Sequence, residues 1–251
     1  MTAPVSGPVD LRGRTAFVSG ASRGIGRAIC MALGREGAAV ACGDVLEVSE
    51  TVAALSAIGA EAMALACDVR AQEQVAAALK RVVEAWGRLD ILVCNAGILG
   101  DSRAPVEAIS VEEWDTVLEV NLRGQFFLTQ AAWPHMVAQK GGKIVCMGSI
   151  AGRIGGILAG PHYCASKGGV HALVKALAKR GAAVGIYVNG IAPGPVATPM
   201  IAAEPYKDEM VPLGRMGQPE DIAEAVVFLS SQASHFITGQ VLDVNGGMLM
   251  V

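Results

Sequence analysis

Short apolar runs without polar alternation recur along the chain, at Thr15–Ser19, Ala39–Gly43, Ala62–Cys67, Ile91–Cys94, Lys143–Met147, Gly185–Asn189 and Gln240–Val244. Runs of this kind suit strands buried on both faces, the condition of a parallel sheet. Helix-like segments stand between nearly all of them, beginning with one that ends near Arg35. Parallel neighbours require such crossovers. The alternation therefore predicts an α/β protein with a doubly wound parallel sheet flanked by helices on both faces. No repeat, low-complexity tract or linker divides the chain. We expect a flexible N-terminal arm over residues 1–10 and a single domain over 11–251. The irregular stretch from Pro193 to Pro219 is the expected mobile substrate lid.

Composition narrows the class. Of the 251 residues 52% are hydrophobic and 17% charged, yet no uninterrupted apolar stretch reaches the roughly 18 residues of a membrane span. Residues 1–10 carry neither a basic start nor an apolar core, so they do not read as a signal peptide, and a cytoplasmic location is expected. Six cysteines without C-x-x-C spacing read as reduced core thiols. Four scattered histidines offer no zinc-type spacing, and no metal is expected. A net charge of -3 with dispersed basic pairs such as Lys179-Arg180 argues against nucleic acid as a partner. The apolar end, Met248-Leu249-Met250-Val251, has two readings: burial in a subunit interface, or folding back on its own core.

Candidate chemistry lies in two places. Tyr163 and Lys167 stand four residues apart, one face of a helix, with Ser149 upstream on a glycine-flanked turn. The Lys167 ammonium there favours an ionised phenol. Moving a phenol from about 10 to ~7 takes roughly 4 kcal/mol, more than one ammonium is expected to supply, so a second positive charge such as an oxidised nicotinamide is implied. The same spacing alone also fits an ordinary amphipathic pair. The other place is the glycine turn after the first strand, G-x-x-x-G-x-G, where backbone amides and a helix dipole can receive a pyrophosphate. Gly20, Ser22, Arg23, Gly24, Ile25 and Gly26 are its expected contacts, which makes the sheet a Rossmann fold. Asp44, ending the second strand, can accept bonds from the adenosine ribose hydroxyls and would repel the extra phosphate of NADP, whereas Arg23 could pair with that phosphate. We expect NAD, with NADP second. Asp68-Val69 and Asn95-Ala96-Gly97 follow the third and fourth strands and extend the same cleft.

With these elements in order, joined by Asn121, Gly148-Ser149 and Pro193-Gly194-Pro195-Val196-Ala197-Thr198, the chain resembles the classical branch of the short-chain dehydrogenase/reductase family from Leu11 to Gly247. The resemblance implies hydride transfer between a nicotinamide cofactor and a secondary alcohol or ketone. Tyr163 would be the acid/base, Ser149 would hold the substrate oxygen, and Lys167 would lower the Tyr163 pKa and bind the nicotinamide ribose. Asn121 would hold a relay water, with Pro193, Gly194, Val196 and Thr198 around the carboxamide. It also implies a homotetramer. Ser19, Cys94 and Tyr187 depart from the usual residues, and the Ser149 to Tyr163 interval is one residue longer than in many members. Leu99, Ile150, Ile154, Ile157, Leu158 and Met200 suggest a hydrophobic small-molecule substrate, with Arg153 the one nearby cation. The closing Asp243-Val244-Asn245-Gly246-Gly247-Met248 is similar to bacterial 3-oxoacyl-(acyl-carrier-protein) reductases. An NADPH-dependent 3-oxoacyl thioester reductase is therefore the alternative. A non-catalytic nucleotide sensor or scaffold is the alternative of another class.

Overall fold

The apolar runs assemble into one sheet of seven parallel strands in the order β3-β2-β1-β4-β5-β6-β7. A computed structural model describes residues 9–251. The strands are β1 (Thr15–Ser19), β2 (Ala39–Asp44), β3 (Ala62–Ala66), β4 (Ile91–Cys94), β5 (Gly142–Met147), β6 (Ile186–Pro193) and β7 (Val241–Val244). Between them run α1 (Gly24–Arg35), α2 (Ser49–Ala57), α3 (Gln72–Trp86), α4 (Val111–Leu118), α5 (Gly124–Ala138), α6 (Ala151–Ile154), α7 (Pro161–Gly181) and α8 (Pro219–Ser230). The doubly wound Rossmann architecture is thus the observed fold. Of the expected arm, only Val9 and Asp10 are described; Val9 packs against the core and Asp10 pairs with Arg12.

Alternate residues of each strand feed two cores. Ala16 and Val18 face Ile29 and Leu33 of α1 and Val226 of α8, while Phe17 and Leu92 face Leu79 of α3, Leu128 of α5 and Val174 of α7. Each fully buried aliphatic or aromatic side chain contributes roughly 1.5–3 kcal/mol, so register is strongly set on both faces. Strand β6 runs to Pro193 rather than stopping at Asn189 as expected. Gly190 reads as a breaker in sequence, but β6 is flanked on both sides: Gly190 to Pro193 pair with β7 while β5 continues alongside to Ile191. Pairing outweighs propensity there. All six cysteines are free thiols and five are buried, with Cys30 and Cys42 sulfurs 3.7 Å apart across α1 and β2. His162 and His171 are buried as well. No described helix is long and apolar enough to cross a membrane, and the described residues form no metal-binding cluster.

Of the apolar chain end, Met248 and Leu249 are half-buried and the last two residues stand in solvent. Met250 and Val251 are 79% and 92% exposed, and Phe236 beside them in the exposed apolar set is 97% exposed.

Gly43 on β2 lies against the tip of the Phe17 ring, where an added Cβ would stand 2.4 Å from Cζ. Overpacking of this kind costs about 1–3 kcal/mol. Gly43→Ala is expected to lower the unfolding free energy by that amount, seen as a lower urea midpoint with the m-value unchanged in equilibrium unfolding.

Candidate active site

The order in which strands are added reverses between β1 and β4, and a crevice opens at the carboxyl ends of the strands on either side of that point. It forms a cleft of about 570 Å³. The cleft gathers every expected catalytic and cofactor residue except Asn121, and of the apolar pocket candidates Leu99, Ile150, Ile157 and Met200 but not Ile154 or Leu158. Gly20, Ser22, Arg23, Gly24, Ile25 and Gly26 come from the turn after β1, Asp44 from the end of β2, and Asp68 and Val69 from the turn after β3. Asn95, Ala96 and Gly97 follow β4, Ser149 follows β5, and Pro193, Gly194, Val196 and Thr198 follow β6. Tyr163 and Lys167 reach in from α7.

The glycine turn is built to receive an anion. Helix α1 begins at Arg23 without a side-chain cap and with no acidic residue in its first turn, so its leading N–H groups are open to a ligand. Gly26 is required by close approach, since a Cβ there would sit 1.8 Å from the Gly20 carbonyl oxygen. The loop after β4 and helix α2 brace the turn. Asn95 Nδ2 donates to the carbonyls of Ser19 and Gly20 at 3.0 and 3.1 Å, and Thr51 Oγ1 donates to that of Ala21 at 2.9 Å. Ser19 is more than a small replacement for threonine: its hydroxyl accepts from the amides of Asn95 and Ala96 at 3.0 and 3.1 Å. These residues fit a dinucleotide pyrophosphate.

Asp44 is buried, and its carboxylate accepts from the amides of Ser22 at 2.9 Å and Leu46 at 3.0 Å. It faces the cleft held in place on both oxygens. Arg23 is exposed on the rim and forms no ion pair among the described residues. Asp68 is bound to Arg70, whose guanidinium holds the carboxyl below its usual range. Val69 and the sequence-unmarked Thr116 and Val120 line the wall beside it.

The outlier is Asn121. It lies behind the cleft, fully buried on a π-helical turn (Glu119–Arg123) between α4 and α5. Its Oδ1 accepts from the Ile98 amide at 2.8 Å, and its Nδ2 donates to the Ile98 carbonyl at 2.9 Å and to Ser166 Oγ at 3.1 Å. Both amide protons are used, so the side chain ties the loop after β4 to α7. The expected water would have to meet the remaining lone pair or a backbone carbonyl of the π turn.

At the other end, the Ser149 hydroxyl faces the Tyr163 phenol, and Lys167 Nζ lies 5.5 Å from the phenol ring centre while donating to the Met147 carbonyl at 2.9 Å. Burial pushes the phenol up to about 12, with the Ser149 hydrogen bond pulling the other way. Burial also pulls the Lys167 ammonium down to about 8. The lysine alone therefore does not bring the phenol toward neutrality; desolvation outweighs it.

Two regions flank the cleft. Arg153, the one cation expected nearby, pairs with Asp243 at 3.0 Å and donates to the Val241 carbonyl at 2.8 Å. The stretch from Pro193 to Pro219 is pinned at its base, where Ala197 donates to the Gly217 carbonyl at 2.8 Å and Gly217 to that of Pro195 at 3.0 Å. It brings in Ile201 and Tyr206, which join Met200 at the cleft. Neither carried a spacing signal in the sequence. Tyr187 stacks under Lys143, with Nζ 4.1 Å from its ring centre, well away from the cleft on β6.

A family model described as Enoyl-(Acyl carrier protein) reductase matches residues 20–249. The chain belongs to the short-chain dehydrogenase/reductase family. It is 36% identical to the 3-oxoacyl-(acyl-carrier-protein) reductase of Thermotoga maritima, over 96% of this chain and 99% of that one. It is 40% identical to the cis-4-hydroxycyclohexanecarboxylate dehydrogenase of Sinomonas cyclohexanicum, over 95% and 97% respectively. Among solved structures, a putative 2-deoxy-D-gluconate 3-dehydrogenase from Agrobacterium tumefaciens with bound NADP superposes with a TM-score of 0.88 at 40% identity, over 97% and 99% of the two chains. Membership makes this short-chain dehydrogenase/reductase an oxidoreductase that uses a nicotinamide dinucleotide.

A buried ammonium in this family member costs stability. Below pH 8 Lys167 is protonated folded and unfolded, and the full desolvation cost is present; between about 8 and 10.5 the unfolded chain holds the extra proton, so stability rises with pH. Lys167→Met leaves the Met147 carbonyl bonded to Gln125 Nε2. It is expected to stabilise the protein by on the order of 2 kcal/mol at pH 7, a gap that narrows above pH 8, as read by denaturant unfolding across pH.

Proposed function

We propose that the chain interconverts a secondary alcohol and a ketone, with Tyr163 moving the proton at the substrate oxygen. The convergence of Ser149, Tyr163 and Lys167 at the far end of the cleft from Asp44 carries this reading. Asp44 on β2 and Ser149 on β5 are separated by three strand spacings across β1 and β4, or about 14 Å, the span of an extended dinucleotide. A nicotinamide dinucleotide held there supplies or accepts the hydride. Ser149 donates to the substrate oxygen and fixes it beside the Tyr163 hydroxyl, while Lys167 keeps a positive charge under that phenol. Asn121 positions the loop after β4, through Ile98, against the same site. The presence of all three reacting groups speaks against a non-catalytic sensor.

Two readings of substrate and cofactor have separate support. Reduction of a 3-oxoacyl thioester with NADPH comes first: relatives such as the Thermotoga maritima protein bear that name, a similar structure holds NADP, and Arg23 stands free at the rim. An NAD-linked dehydrogenase of hydrophobic secondary alcohols comes second. It is favoured by the locked carboxylate of Asp44, by the apolar substrate end and by the likeness to the cyclohexane-carboxylate enzyme. This order reverses the one expected from Asp44 alone. We further propose a homotetramer. Exposed Phe126 and half-buried Leu173 line an open groove between α5 and α7, and Phe236, Leu242 and the apolar tail leave a second apolar surface by β7.

Tyr163→Phe is expected to reduce turnover by roughly 10²–10⁴-fold with cofactor binding retained; undiminished kcat would remove Tyr163 from the acid/base role. Parallel fluorescence titrations with NADH and NADPH decide the cofactor. If Asp44 bonds the ribose, Asp44→Asn weakens NADH by about 1–3 kcal/mol and strengthens NADPH; an unchanged ratio would dismiss it. Light scattering of the purified protein is expected to give four times the chain mass.

A further inference from the structure

Tyr206 enters the substrate end of the cleft from the segment between β6 and α8, far in sequence from the reacting groups. Its neighbours there, Leu99, Ile150, Ile157, Met200 and Ile201, are apolar. Among the described residues, only Ser149, Tyr163 and Tyr206 bring hydroxyls to that end, and the first two are assigned to the reacting oxygen. The Leu158 N–H faces the Tyr206 oxygen, which leaves the phenol proton to donate elsewhere. The two phenols are near enough for charge on one to disfavour charge on the other.

The loop that carries Tyr206 is held to the loop after β4. Glu204, its side chain 11% exposed, accepts from Ser102 Oγ at 2.7 Å and lies 3.6 Å from Arg103 Nε. Arg103 also donates to the Ala203 carbonyl. Glu204 is two residues from Tyr206, so this clasp fixes where the phenol stands over the site.

We propose that Tyr206 is a specificity-determining residue that donates a hydrogen bond to a second carbonyl oxygen of the substrate, two bonds along the chain from the ketone carbon. A 3-oxoacyl thioester carries its thioester carbonyl at that position, so the inference rests on the thioester reading above. A polar group set in an apolar pocket discriminates against analogues that leave it unpaired.

The test uses the full-length protein, acetoacetyl-CoA, and the 3-oxobutyl thioether of coenzyme A, in which a methylene replaces the thioester carbonyl. Wild-type kcat/KM is expected to favour the thioester, and Tyr206→Phe to reduce that preference roughly tenfold, chiefly through KM, with the melting temperature unchanged. A preference that Tyr206→Phe leaves intact overturns the role of Tyr206 while the thioester reading stands. Wild-type protein that binds reduced cofactor yet reduces neither compound overturns both.

Discussion

Burial of a parallel sheet on both faces is the constraint on which the rest of this structure depends. Strands β1, β2 and β4 have no solvent-facing side to spare, and helices cover them above and below. Chemistry is left to the loops at the carboxyl edge, where the chain leaves β1 toward one side of the sheet and β4 toward the other. At that divide the open N-terminus of α1, the bracing amide of Asn95 and the hydroxyl of Ser19 meet within one turn. A cofactor site arises because the packed layers on either side cannot close over the gap.

The substrate end obeys a different economy. Lys167 and Tyr163 are taken out of water by the same packing that positions them, and burial drives both toward their neutral forms. A buried ammonium with one carbonyl partner is poor for stability, yet the fold keeps it 5.5 Å from the centre of the phenol ring. The site is thus locally destabilised, while the sheet cores on either side supply the surplus that tolerates it.

Loops decide what the shared machinery acts on. Residues after β4 and after β6 meet through Ser102, Arg103 and Glu204, and together set Leu99, Met200, Ile201 and Tyr206 around the reacting groups. Relatives of the same length and similar identity carry different substrate names, as expected when a rigid scaffold presents loops that vary.

Strands, crossovers and the cofactor half of the site were legible in the chain because each rests on local chemistry. Apolar runs mark β1 to β7, glycine at 26 marks a turn too tight for a Cβ, and Tyr163 and Lys167 fall on one helical face by spacing alone. The register that carries β6 on to Pro193 was not legible, since pairing with β7 outweighs the breaking tendency of Gly190. Nor was the place of Asn121 behind the cleft, where a π turn spends both of its amide protons on Ile98 and Ser166. Nor were the partners of Arg153 or the approach of Tyr206 to the cleft, for the same reason. Arg153 meets Asp243 and Val241 some ninety positions away, and Tyr206 comes to a cleft lined by residues from the whole length of the chain. The sequence by itself determined the fold, the family and the placing of Tyr163 and Lys167 on one helical face, all of which rest on short-range pattern. Only the tertiary structure decided which side chains share the substrate end, because long-range contacts between loops place them there.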